Sequence, residues 1–97
     1  MSVMIIIDAK LKAENVSKAK AFFAEILPDT RSFDGCEGVN ICINSEDPGN
    51  LVLVEKWASK EHYEKYHHWR DETGVLQQIR QFLDGPVSRS FLEIVDA

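Results

Sequence analysis

Residues 38–60, GVNICINSEDPGNLVLVEKWASK, decide the fold of this chain. From residue 39 onward, Val39, Ile41 and Ile43 alternate with small or polar side chains, which predicts a strand with one buried face. Residues 45–50 have the composition of a hairpin loop, and residues 51–57 alternate again as a second strand. The segment is therefore a β-hairpin, and Ser59 follows it as the expected N-cap of a helix.

The part of the chain before the hairpin predicts one strand and one helix. Residues 3–12 begin as an apolar run and then alternate, as expected of a strand. Residues 16–27 repeat apolar side chains at helical spacing. We expect Asn15 to cap this helix and Pro28 to end or kink it, because proline disfavours helical angles in the residue before it.

The part after the hairpin predicts two helical segments, at 60–68 and 72–83, and a last strand at 87–95. The complete order is β-α-β-β-α-β. This order is typical of a ferredoxin-like α+β fold, an antiparallel sheet with helices on one face. A length of 97 residues fits a single domain, 1–97.

Composition excludes several classes of protein. Eleven basic against 16 acidic residues give a net charge of -5, which excludes a strongly cationic nucleic-acid binder. No apolar run is long enough to span a membrane, no signal peptide is visible, and we expect a cytoplasmic protein. The sequence lacks glycine-rich nucleotide motifs and a nucleophile elbow, so we expect no bound cofactor. Cys36 and Cys42 form no CxxC motif and are expected as unbridged thiols on one strand face.

The second face of the predicted sheet is apolar as well. Leu92 and Ile94 lie on the opposite side of the last strand from Phe91, and residues 51–57 are apolar on both faces. Helices cover only one face, so a monomer would expose a large apolar patch. We therefore expect a homodimer in which two sheets meet through the open face.

Residues 55–70, EKWASKEHYEKYHHWR, hold both tryptophans, both tyrosines and all three histidines of the chain. Tyr63 and His67 are four residues apart and share a helix face, with Arg70 about one turn further on. Trp57 ends the preceding strand. These spacings predict a small-molecule pocket with Trp57 and Tyr63 as walls and His67 at its edge.

The alternative is that these aromatic side chains only pack, since aromatic residues dominate core energetics. His67 and His68 are adjacent, so at most one of them enters a pocket. The histidine spacing matches no metal motif, and we predict no metal site. Glu55 lies among apolar residues, so we expect it to pair with Lys10 or Arg89 or to have a raised pKa and a functional role.

Two short motifs resemble those of the antibiotic biosynthesis monooxygenase (ABM) domain family. They are, in chain order, Arg31-x3-Gly35-Cys36, and Glu55-x-Trp57-x-Ser59 followed by His67. The resemblance spans nearly the whole chain, with the same order of elements. It implies a dimeric α+β barrel, in agreement with the two-sided strands.

The resemblance also implies an activity. The best-understood members oxidise aromatic phenols or quinols with molecular oxygen, without metal, flavin or haem. The protein then has to supply a base, a dry pocket and the correct orientation. By resemblance to members that tailor polyketides, Trp57 and Tyr63 would orient the substrate. His67 would be the base, and Arg70 would stabilise the anion.

Two departures from the family pattern leave alternatives open. Leu53 stands where the polyketide-tailoring members have asparagine, and it joins Glu55 and Arg70 as a candidate substrate-binding residue. The first strand carries Asp8 near the position where haem-degrading relatives have asparagine, which disfavours haem degradation. The alternatives are a non-catalytic dimeric small-molecule-binding protein and a haem-binding relative that uses His67.

Overall fold

The computed structural model describes all residues of the chain, 1–97. The elements are β1 (Val3–Lys10), α1 (Val16–Arg31), β2 (Cys36–Asn44), β3 (Asp47–Trp57), α2 (Lys60–Glu72), α3 (Val75–Arg80) and β4 (Ser88–Glu93). A short 3-10 turn, Ala13–Asn15, precedes α1. The four strands form one antiparallel sheet in the order β2-β3-β1-β4. This arrangement confirms the predicted ferredoxin-like α+β fold.

Side-chain alternation separates the sheet into a helix-covered face and an open face. On the covered face, Ile5 of β1 lies opposite Glu55 of β3, and both are buried. On the open face, Ile6 lies opposite Val54, and both are only half-buried. Leu92 of the edge strand β4 extends this open face and is 46% exposed. The open face is therefore apolar, as its sequence pattern predicts.

Two separate clusters of buried side chains make up the core. The larger cluster contains Leu11, Ala19, Phe23, Leu27, Val39 and Leu51. The smaller cluster contains Ile5, Trp57, Tyr63 and Tyr66. Helix α1 anchors the first and α2 the second, so the space between the helices lies where the two clusters meet.

Helix α1 continues past Pro28 to Arg31, so of the two outcomes predicted for this proline, the end of the helix does not occur. Pro28 and Ala24, the residue one turn before it, are both exposed, so water can satisfy the carbonyl that loses its partner. Thr30 holds the last turn in place, since it is 1% exposed and hydrogen-bonded to α2. At the other end, Asn15 makes no capping bond; its side-chain amide donates to the carbonyl of Gln81.

The hairpin turn is tighter than predicted. β3 begins at Asp47, and the turn consists of residues 45 and 46 alone. The Asn44 side-chain oxygen accepts a 2.9 Å hydrogen bond from the Glu46 amide, which closes the chain without a longer loop. At the helical segment after β3, the predicted break is also misplaced. It lies at Thr73 and Gly74, where Gly74 has a φ of 81°.

A register shift in β2 places the two cysteines on opposite faces, against the prediction of a shared face. The pairing with β3 skips one residue between Cys36 and Gly38, as in a β-bulge. Cys36 therefore packs with the buried cluster around Trp57, while Cys42 is exposed on the open face. Both thiols are free.

Gly35 is required by its backbone and by its neighbour. Its φ is 89°, and a Cβ at this position would overlap the His62 ring. Its carbonyl accepts a 2.7 Å hydrogen bond from the Ala58 amide, which fixes the chain just before α2. Ser59 caps α2 as predicted, since its side chain accepts from the His62 amide. None of the helices is both long and apolar enough to cross a membrane.

Candidate functional site

A cavity of about 120 Å³ lies between the sheet and the three helices. Its apolar lining comes from both core clusters and includes Leu53 of β3. Its other lining residues are the aromatic or charged side chains of Glu55, Tyr63, Tyr66, His67, Arg70, Arg80 and Arg89. An engineered apolar cavity of about 150 Å³ binds benzene, so this space is close to the size of one aromatic ring.

Five of the six residues predicted for the site line this cavity. They are Leu53, Glu55, Tyr63, His67 and Arg70. The prediction that Trp57 forms a wall is wrong, because its side chain is 0% exposed and packs under the cavity floor against Tyr63 and Tyr66. Trp57 therefore supports three residues that line the cavity, Glu55, Tyr63 and Tyr66.

Glu55 is a buried carboxyl group, 3% exposed, on the covered face of β3. Burial raises its pKa, and a 2.8 Å hydrogen bond from the Trp57 indole nitrogen to Oε1 partly opposes this shift. Neither expected ion pair forms. Lys10 pairs with Asp47 at 3.7 Å, and Arg89 attracts the carboxylate only from beyond ion-pair distance.

Tyr63 and His67 stand side by side on α2, with their ring centroids 5.9 Å apart. Burial raises the pKa of Tyr63 to about 12, so its hydroxyl keeps its proton at neutral pH. The pKa of His67 is lowered, first by burial and then by the positive charge of Arg89. The imidazole is therefore uncharged at neutral pH, which is the form that accepts a proton.

Arg89, on β4, connects this pair to the outside. Its Nη2 lies 3.4 Å from Nε2 of His67, and its guanidinium carbon lies 5.9 Å from the centre of the Tyr63 ring. These three residues also line a shallower groove on the outer side, with Asp71 among its other residues. Tyr63, His67 and Arg89 therefore separate the inner cavity from the surface.

Arg70 lies at the inner side of the cavity and is 4% exposed. Its Nε donates to the Tyr66 hydroxyl at 3.0 Å, and its Nη2 donates to the carbonyl of Ile26 at 2.7 Å and to Thr30 Oγ1 at 3.0 Å. Thr30 and Tyr66 are also bonded to each other at 2.6 Å. This network joins α1 to α2 and fixes one wall of the cavity.

Among the polar side chains that line the cavity, sequence reasoning missed three, Tyr66, Arg80 and Arg89. Tyr66 follows Tyr63 by three residues, and this spacing on a helix predicts that both side chains lie on the same face. Arg89 and Phe91 are two residues apart and share the covered face of β4, so the strand period also predicts that Arg89 faces the helices. The position of Arg80 depends on the break at Gly74, which sets the direction of α3 relative to α2. No local sequence pattern specifies the angle between these two helices.

The histidines and carboxylates do not assemble a metal centre. His68 points away from the cavity and contacts Glu72 at 2.7 Å on the surface. His62 contacts Asp34 at 3.8 Å and does not line the cavity with His67. No group of three or more histidine, cysteine, aspartate or glutamate side chains is placed to hold a metal ion.

Comparison with known proteins identifies the family. The family model described as antibiotic biosynthesis monooxygenase matches residues 2–72, which include β1 through α2 and most of the cavity-lining residues. The chain belongs to the antibiotic biosynthesis monooxygenase family. A search of curated protein sequences finds no significant match.

Solved structures similar to this family member cover almost its whole length. Rv0793 from Mycobacterium tuberculosis superposes with a TM-score of 0.87 at 22% identity, covering 100% of this chain and 98% of that one. A putative antibiotic biosynthesis monooxygenase from Deinococcus radiodurans gives 0.85 at 17% identity, covering 98% and 94%. SnoaB, a cofactor-independent oxygenase from Streptomyces nogalater, gives 0.84 at 7% identity, covering 99% and 95%. At these identities the likeness shows a shared fold.

Proposed function

We propose that this chain is a cofactor-independent monooxygenase that oxidises a small aromatic phenol or quinol with molecular oxygen. One observation carries the proposal: a cavity of about 120 Å³ has an imidazole of lowered pKa, His67, beside a protonated phenol, Tyr63, at its edge. A base and a donor at the edge of an apolar, ring-sized space suit the deprotonation of a phenol. The family membership supports an oxygenase in general, and the phenol or quinol is our inference.

In this proposal His67 takes the hydroxyl proton of the substrate, since its imidazole is neutral at neutral pH. Tyr63 donates a hydrogen bond to the resulting phenolate oxygen. Leu53 and the apolar side chains around it exclude water and hold the ring. Trp57 is a positioning residue, because it acts on the cavity through its hydrogen bond to Glu55 and its packing against Tyr63 and Tyr66.

The reaction balances without a further reductant. The phenolate transfers electrons to molecular oxygen, and a C–O bond forms at a ring carbon, giving a hydroperoxide. His67 returns its proton to the departing oxygen, the O–O bond and the C–H bond of that carbon break, and water leaves. A quinol plus one oxygen molecule thus yields a hydroxyquinone plus one water. The substrate supplies every electron that the oxygen molecule accepts.

The size of the cavity argues against haem as the ligand. A porphyrin contains four pyrrole rings, while the cavity is close to the volume of one benzene ring. Asp8 lies on the open sheet face and accepts a 2.7 Å hydrogen bond from Asn50, so it is on the opposite side of the sheet from His67. Asp8 and His67 therefore do not share one pocket.

We propose further that two copies of the chain associate through the open sheet face. Met4, Ile6, Val52 and Val54 make this face apolar at its centre, and none of them is covered by a helix. Exposed apolar side chains continue along β4 and beyond it, with Leu92 at 46% and Ile94 at 42% exposure. Burial of such a patch is favourable at roughly 25 cal/mol per Å².

Oxygen consumption by the purified protein tests the proposed activity. A panel of single-ring phenols and quinols is offered to the wild type, to His67→Ala and to a control, His68→Ala. The control removes the neighbouring imidazole, which lies on the surface. We expect turnover that falls by about a hundredfold or more in His67→Ala and persists in the control. Binding of these rings without any oxygen uptake would favour the alternative, a small-molecule-binding protein.

A further inference from the structure

The arginines of this chain are concentrated at one place. The sequence contains four, Arg31, Arg70, Arg80 and Arg89, and the last three line the cavity. Their concentration does not follow from composition, because the chain has a net charge of -5. The ion pairs within 4.0 Å involve Lys10, His62 and His68, so none of the three cavity arginines has a carboxylate partner. Three guanidinium groups thus surround one cavity with no carboxylate within ion-pair distance of any of them.

Among the three cavity arginines, Arg70 is the buried one, so the absence of a carboxylate partner is least favourable there. It is 4% exposed, and its three acceptors, Tyr66, Ile26 and Thr30, are all neutral oxygens. Its Nη1 has no hydrogen-bond acceptor in the protein. Since every fully buried side-chain nitrogen in the chain has a partner, Nη1 must be accessible to solvent. A buried cation without a counter-ion is unfavourable, so the charge of Arg70 favours an anionic ligand in the cavity over a neutral one.

The one carboxyl group that lines the cavity, Glu55, can balance at most one of the three arginine charges, even when it is ionised. Burial raises the pKa of Glu55 and so favours its neutral form. Its Oε1 is already occupied by the Trp57 indole. Two other carboxylates, Glu64 and Asp71, line only the outer groove. The cavity therefore has an excess of positive charge.

Arg80 and Arg89 place part of this charge at the mouth, where both residues are exposed. The polar contact of the Arg89 guanidinium is Nε2 of His67, at 3.4 Å, an acceptor much weaker than a carboxylate. A planar guanidinium binds a carboxylate through two parallel hydrogen bonds. At the mouth the carboxylate also retains part of its hydration, which lowers the cost of binding it.

We propose that the ligand of this cavity is a single-ring aromatic acid, with its ring in the apolar interior and its carboxylate bound by Arg80 and Arg89. The inference rests on the proposed function only for the ring hydroxyl, which would face His67. Because Arg89 and His67 are 3.4 Å apart, the hydroxyl and the carboxylate occupy neighbouring ring carbons. A dihydroxybenzoate with adjacent carboxyl and hydroxyl groups is therefore the substrate class that we assign.

Binding is tested with ligands that cannot be oxidised. Calorimetric titration with benzoate and with its neutral analogue benzamide separates charge from shape. We expect the wild type to bind benzoate at least about tenfold more tightly than benzamide, and Arg89→Gln and Arg80→Gln to lose most of that preference. The control is Arg31→Gln, which removes the one arginine outside the cavity and should leave the preference unchanged. Equal affinity for both ligands, binding of neither, or a preference that survives the double variant Arg80→Gln/Arg89→Gln would overturn the proposal.

A second measurement separates this inference from the proposed function. Oxygen uptake is compared for 2,5-dihydroxybenzoate and its methyl ester. A rate at least about tenfold higher with the acid supports both proposals. Turnover of neutral quinols without preference for the acid retains the oxygenase and overturns the aromatic acid. Tight binding of benzoate without uptake on any phenol supports the aromatic acid as ligand and contradicts the oxygenase.

Discussion

The indole nitrogen of Trp57 donates a 2.8 Å hydrogen bond to Oε1 of Glu55, two residues earlier on the same face of β3. Both side chains are buried, at 0% and 3% exposure. The bond ties the carboxyl group that lines the cavity to the centre of the aromatic cluster. The Glu-x-Trp spacing permits this bond, since residues two apart on a strand are neighbours on the same side.

Replacing Trp57 with phenylalanine removes this donor and leaves a space beneath the cavity. We expect Trp57→Phe to lower the free energy of unfolding by about 2–4 kcal/mol, from the lost hydrogen bond and the poorer packing. The control is Trp69→Phe, because Trp69 is half-buried and stacks on Phe33. Urea unfolding measures both. An equal decrease in the free energy of unfolding of the two variants would contradict a stabilising role for the hydrogen bond to Glu55.

The raised pKa of Glu55 predicts how stability depends on pH. The folded protein holds this proton at pH values where the unfolded chain, near the ordinary value of 4.5, has released it. The contribution of Glu55 to stability is therefore complete below that value and is lost as the pH rises through the folded pKa. Glu55→Gln does not titrate, so its stability relative to the wild type should improve as the pH rises. Unfolding free energies of both proteins from about pH 4 to about pH 8 test this; a constant difference would contradict it.

The lowered pKa of His67 predicts an acid limb of activity below the ordinary histidine value of 6.5. Burial is the first cause, the charges of Arg89 and Arg80 lower the pKa further, and Asp71 opposes them. Arg89→Gln removes one positive charge, so the pKa of His67 should rise and the acid limb should move to higher pH. Titration of the His67 ring by NMR follows the pKa without needing turnover. An unchanged midpoint in Arg89→Gln would contradict the assignment of this charge.

The proposed homodimer predicts a specific sensitivity on the open sheet face. Val54→Glu places a charge at the centre of this face, opposite Ile6. We expect the wild type to sediment at twice the chain mass of 11.0 kDa and Val54→Glu to sediment as a monomer. Gln77→Glu carries the same new charge on the exposed surface of α3 and should remain dimeric. A dimeric Val54→Glu, or a monomeric wild type, would contradict this interface.

Most of the fold could be predicted from the periodic spacing of hydrophobic residues. The alternation around Val39 and the helical spacing after residue 16 predicted the correct elements because burial enforces both periods. The errors lie where tertiary contacts override a local rule. Thr30, bonded to Tyr66 and Arg70, holds α1 beyond Pro28. Likewise, nothing in β2 signals the bulge that separates the two cysteines.

The candidate site was predictable in composition and less so in geometry. Spacing on α2 correctly brought Tyr63, His67 and Arg70 to one side, because helix geometry fixes residues three and four apart. It could not decide whether Trp57 faces a cavity or the core, since both environments suit an indole on a strand. The arginines of α3 and β4 reach the cavity through long-range packing, which a single sequence does not specify.

Isotope incorporation tests the central proposal most directly. The purified protein, treated with a metal chelator, is incubated with 2,5-dihydroxybenzoate and with single-ring quinols under labelled oxygen gas, and the product is analysed by mass spectrometry. We expect a quinone product that contains one labelled oxygen atom, with the second label in water, and we expect this product to be lost in His67→Ala. A wild-type protein that forms no labelled product from any of these substrates would contradict it.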